Sequence, residues 1–138
     1  MKNRAASLVA ALLAAGAAPA ADLTVTVTDI RASTGTIRIA VVNSEAGWND
    51  EAAAVVRKAI AVSGKETTFQ FPGLSPGQYA VQVMHDENDN GKFDTNFVGL
   101  PMEGYGFSNN PQVMRRANYD EARFDLGPDG GSVVVRLR

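Results

Sequence analysis

The chain has 138 residues, 45% of them hydrophobic and 20% charged, with 13 basic against 15 acidic side chains and a formal net charge of −2. This length is that of one domain able to bury a core without covalent staples. The lack of cysteine excludes disulfides, thiolate zinc and thiol chemistry, the single histidine excludes a multi-histidine metal centre, and the acidic balance argues against nucleic acid and anionic lipid as partners.

The first twenty residues, MKNRAASLVAALLAAGAAPA, have the layout of a secretory signal peptide. Lys2 and Arg4 precede an Ala/Leu/Val run, and Ala18-Pro19-Ala20 supplies the small residues of a cleavage site. The run is shorter than the roughly 20 apolar residues of a membrane span. Cleavage after Ala20 leaves a single domain over residues 21–138, with 11 basic and 15 acidic side chains and a formal net charge of −4. The expected compartment is the periplasm or the exterior, with no membrane span after cleavage.

Period-two alternation then dominates, as it does in strands with one dry and one wet face. LTVTVTDI (23–30) aligns Leu23, Val25 and Val27, and TIRIAVV (36–42) aligns Ile37, Ile39 and Val41. A helical turn or two is expected around residues 49–56, capped by Asn49 or Asp50. VVRKAIAV (55–62) aligns Val56, Ile60 and Val62 more weakly, and ETTFQF (66–71) aligns Thr67, Phe69 and Phe71. QYAVQVM (78–84), EARFDL (121–126) and SVVVRLR (132–138) complete the set, with breaker clusters such as Ser75-Pro76-Gly77 between strands. About seven short strands predict an all-β, immunoglobulin-like antiparallel sandwich with one long polar loop. Trp48 reads as a lid over the sandwich end, with an exposed stacking platform as the alternative.

FPGLSPGQYAVQV (71–83) places Tyr79 two residues past a tight turn, where its hydroxyl can bond back to the turn backbone. The stretch resembles the G-L-x-P-G-x-Y strand entry of prealbumin-like and carboxypeptidase regulatory-like sandwich domains.

Residues 85–120 form a loop too long to be a plain connector. It opens HDENDNGKFDTN, and Asp86-x-Asn88-x-Asn90-Gly91 matches the start of a calcium loop, where alternate oxygen-bearing side chains aim at one cation. Lys92 would offer its carbonyl and Asp94 takes the ninth position, with Asp89, Asn96, Glu103 or water completing the shell. Phe97 stands where an EF-hand has its bidentate Glu, so the loop is not an EF-hand, and with only two strong carboxylates in register any calcium affinity is expected to be weak. The metal-free alternative is an Asx-rich turn held by side chain to backbone bonds. In GLPMEGYGFSNN (99–110), Glu103, Tyr105, Phe107, Asn109 and Asn110 are candidates for a recognition surface. The alternative favoured for this half is that the two rings tuck back onto the sandwich and pin the loop, with both Asn side chains bonding to loop backbone.

HDENDNGKFDTNFVGLPMEGYGFSNN (85–110) resembles the hallmark segment of the bacterial exported family known as the domain of unknown function numbered 2141. LTVTV, GLSPGQYAVQV and SVVVRL extend the likeness over nearly all of residues 21–138. The resemblance implies a periplasmic or outer-surface β-sandwich and no particular reaction. The expected function is that of a non-enzymatic, envelope-associated binding module for a protein or glycan, its loop ordered by calcium. A carbohydrate-binding or adhesion module would need Trp48, Tyr105 and Phe107 exposed in one plane. A small hydrolase would need a nucleophile beside His85 and Asp86.

Overall fold

The computed structural model describes residues 19–138. The leader assigned to residues 1–20 therefore lies, but for its last two residues, outside the described part.

Among the described residues, eight strands form two packed sheets. The three-stranded sheet has the order β4 (Thr67–Leu74), β1 (Ala21–Thr28), β8 (Gly131–Arg136). The five-stranded sheet runs β3 (Val56–Ala61), β2 (Thr36–Val42), β5 (Gly77–Asp86), β6 (Tyr105–Phe107), with β7 (Phe124–Leu126) pairing the start of β5. Alternation supplies the core between them. Leu23, Val25, Val27, Phe69, Phe71 and Val135 from one sheet meet Ile37, Ile39, Val41, Val81 and Val83 from the other, all buried. Each such side chain contributes about 1.5–3 kcal/mol on burial. Tyr79 donates its hydroxyl to the Ser75 carbonyl at 2.6 Å, so the turn before β5 is locked as its spacing predicts.

The structure departs from the expected sandwich in four places. First, β1 and β8 are parallel, pairing Leu23 with Gly131 through Thr28 with Arg136, so the sandwich is not wholly antiparallel. Second, β3 is an edge strand, so that Val56 packs against the core only in part and Ile60 is 41% exposed. Third, the helical turn comes earlier, at α1 (Glu45–Asn49), because the Ser44 hydroxyl accepts from the Gly47 N–H at 3.0 Å and caps it. Asp50 caps only the 3-10 turn Glu51–Ala53 that follows. Fourth, the long loop contains a strand, β6, and ends in a helical turn, α2 (Tyr119–Ala122), that takes the first residues of EARFDL.

A second apolar layer lies on the outer face of the five-stranded sheet. Val42 and Ala80, cross-strand partners in β2 and β5, are covered by Trp48, Phe107, Ala117 and Ala122. Trp48 is 2% exposed and donates its indole N–H to the Ala117 carbonyl at 2.9 Å. The indole therefore roofs the sheet's outer face, neither capping the sandwich end nor offering a stacking platform.

Candidate functional site

The polar turn begins where β5 ends. Asp86 is fully buried, and its two oxygens accept from the Asn90 N–H at 3.1 Å and the Gly91 N–H at 2.8 Å, with the Arg38 guanidinium at 3.4 Å. Asn88 and Asn90 turn their amides onto Asp94 at 2.7–2.9 Å, and these donors, Asn90 foremost, hold its carboxyl below the ordinary range. Lys92 enters through its N–H, which donates to the Asn90 side-chain oxygen at 2.9 Å. Asp89, at φ 55°, accepts from the Thr36 hydroxyl. The turn thus brings Asp86, Asn88, Asn90 and Asp94 together through hydrogen bonds, with the amide nitrogens and not the oxygens turned to Asp94. Among the described residues no three His, Cys, Asp or Glu side chains gather as a metal group. A cation here would meet two carboxylates, and both amides would first have to present oxygen in place of nitrogen.

Glu103 closes the loop onto the strand. It is 4% exposed, and its carboxylate accepts from the Glu87 N–H at 2.6 Å and the Asp94 N–H at 2.8 Å. Arg31 grips the Glu87 carboxylate at 2.7 and 3.1 Å and reaches the Met102 carbonyl, tying both ends of the loop to the chain after β1. That pairing, led by the Arg31 hydrogen bond, keeps the Glu87 carboxyl below its ordinary value. His85 is fully buried, and its Nε2 lies 2.7 Å from the Thr34 carbonyl. A carbonyl only accepts, so Nε2 carries the proton and His85 serves as a donor to backbone.

The second half of the loop turns inward. Phe107 is 6% exposed and packs on Trp48 at 5.4 Å, while Tyr105 sits between Phe107 and Phe93, each at 5.8 Å. Asn109 donates to the Glu121 and Arg123 carbonyls, and Asn110 bonds the Val134 carbonyl and Arg136 N–H along β8. Of the recognition candidates, then, Phe107, Asn109 and Asn110 are fasteners, and Glu103 is the loop's anchor. The requirement of a plane of exposed rings is not met, because Trp48 and Phe107 are buried.

What the loop encloses is a groove of about 710 Å³ on the outer face of the five-stranded sheet. Register builds its floor in two rows. Arg57, Ala40, Gln82 and Phe107 lie side by side across β3, β2, β5 and β6, and Ala59, Arg38, Met84 and Tyr105 form the next row. Ala40 and Ala59 are small, which leaves the hollow. One wall is the polar turn's continuation, with Phe93, Leu100 and Pro101, and the other is the 114–116 segment. Arg115 is fixed there by a two-fold pair with Glu121 at 2.8 and 2.9 Å, a contact that pulls the Glu121 carboxyl down to about 2.

Arg116 organises the floor. Its guanidinium lies 5.1 Å over the Trp48 ring and donates to the Trp48 carbonyl at 2.6 Å and to Gln82 Oε1 at 2.8 Å. A guanidinium cannot accept, so the Gln82 atom facing it must be the oxygen. The Gln82 amide nitrogen is left buried without a partner. The groove residues Arg38, Arg57, Gln82, Met84, Arg115 and Arg116 were not evident as a site from the chain alone. The signal available was Gln82 itself, a polar residue in the apolar run of β5.

The chain belongs to the family described as an uncharacterized protein conserved in bacteria (DUF2141), whose model matches residues 25–134. No curated protein and no solved structure matches it.

Replacing Glu103 by Ala should leave two part-buried N–H groups without their acceptor, at up to about 1–3 kcal/mol each where water does not replace it. The expected result is a lowered thermal midpoint and faster amide exchange at Glu87 and Asp94, with strand amides of β1 and β2 still protected. Amide exchange followed by NMR checks this.

Proposed function

We propose that the chain is an exported, non-enzymatic binding module that takes a small ligand in the groove over Arg38, Ala40, Gln82 and Met84. The observation that carries this reading is Gln82. A buried donor without a partner costs about 1–3 kcal/mol, and Arg116 holds the amide in the orientation that leaves it unpaired. A ligand acceptor would remove that cost. The groove's volume falls in the range of small-molecule sites, about 300–1,000 Å³, and apolar walls with a few convergent polar groups are their usual character. The signal-like leader supports an envelope location.

Calcium is proposed as a weak stabiliser of the turn that supports the Phe93–Leu100 wall, held by Asp86, Asn88, Asn90 and Asp94 with the Lys92 carbonyl. A ligand that binds only the folded state raises stability by about 2.7 kcal/mol at a hundredfold excess over Kd. Millimolar calcium should therefore raise the thermal midpoint selectively over magnesium, and Asp94→Ala should abolish the rise. An unchanged midpoint leaves the turn held by its hydrogen bonds alone.

The groove itself is tested with anilinonaphthalene sulfonate, an anionic apolar fluorophore. Ala59 sits exposed on edge strand β3 and faces the hollow, so Ala59→Trp fills the groove without disturbing the inner core. The variant should bind the fluorophore about tenfold more weakly at an unchanged thermal midpoint. Equal binding by both proteins would place the site elsewhere.

A further inference from the structure

We propose that the groove's ligand is a single-chain amphiphile with an anionic head, its acyl chain lying along Met84, Phe93 and Leu100 and its head held by Gln82, Arg57 and Arg116; this rests on the groove being the binding site. Charge is the first ground. The chain as a whole is acidic, yet Arg38, Arg57, Lys58, Arg115 and Arg116 line this one groove and no Asp or Glu does. Arg38 is matched by Asp86 and Arg115 by Glu121, and Lys58 turns its ammonium away to the Gln70 carbonyl and the Phe71 ring. Arg57 and Arg116 are not in a carboxylate pair among the described residues. They flank Gln82. Arg57 is in its register row, two strands away, and Arg116 is hydrogen-bonded to it.

The second ground is the division of the floor. The row holding Gln82 carries the unpaired Arg57, while the adjoining row offers Ala59, Met84 and Tyr105 beside Arg38, whose charge Asp86 answers, and leads to the apolar wall. On that wall Leu100 is 59% exposed and Phe93 38%, and across the groove Met114 is fully exposed. Large apolar side chains left in water beside a cationic pocket fit a ligand that is itself apolar at one end and anionic at the other. A carboxylate or phosphate would accept from the Gln82 amide and from guanidinium N–H groups together, the charge-assisted geometry that arginine favours. A neutral sugar would leave both the cations and the apolar wall unmatched.

The test titrates the full purified chain with dodecanoate and dodecyl phosphate below their micelle concentrations and with dodecanol below its solubility limit, by calorimetry and by displacement of anilinonaphthalene sulfonate. Either anion should bind about tenfold or more tightly than the alcohol. The tighter of the two identifies the head as carboxylate or phosphate. Arg57→Gln should weaken the anion about fivefold or more and leave dodecanol unchanged. Equal binding of anions and alcohol would overturn the head-group assignment, and an Arg57→Gln variant with undiminished anion affinity would overturn the role of Arg57. If none of the three displaces a fluorophore that Ala59→Trp excludes, the amphiphile is wrong while the groove remains the site. If Ala59→Trp does not exclude the fluorophore, the binding reading itself fails.

Discussion

Strand β5 is buried on both faces along its middle, and that constraint organises the molecule. Val81 and Val83 point into the sandwich, while Ala80 and Gln82 on the other face are also buried. A strand of this kind needs a second layer, and the chain supplies one from α1, β6 and the 108–122 segment. The layer covers only one end of the sheet. Where it stops, between the 114–116 segment and the wall at Phe93 and Leu100, the sheet's outer face is left as a groove. Loop length, groove and recognition chemistry thus follow from how one strand is buried.

The sandwich was legible because alternation is a direct image of a two-faced strand. Leu23, Val25 and Val27, or Ile37, Ile39 and Val41, state their inward face by spacing alone, and the Ser75–Tyr79 turn states its lock. Edge position is not written in spacing, which is why Ile60 reads as core and stands exposed. The outer layer was harder for a related reason. Ala40-Val41-Val42 and Tyr79-Ala80-Val81 are continuous apolar runs, the mark of a strand buried on both sides, but such runs do not say what covers them.

The candidate site divides the same way. Short-range chemistry, such as Asp86 accepting from residues four and five positions on, follows from loop spacing, and the Asn88, Asn90 and Asp94 cluster could be foreseen. Glu103 binding the Glu87 and Asp94 N–H groups, and Arg116 joining Trp48 to Gln82, connect residues separated by long stretches of chain. No local pattern encodes them. Net charge also misleads at this scale, since an acidic protein can gather its arginines over one hollow. A field at a groove depends on the nearest few charges, with those beyond about 8–10 Å largely screened at ordinary salt.

The groove's recognition chemistry turns on Gln82, which Arg116 holds with its amide nitrogen unpaired. The most direct measurement is two-dimensional NMR of the Gln82 side-chain amide, identified by its loss in Gln82→Ala. Adding a groove ligand should shift both Nε2 proton signals and slow their exchange with water. Signals that stay in place, with unchanged exchange, while ligand binds would contradict the assignment of Gln82 as the groove's donor.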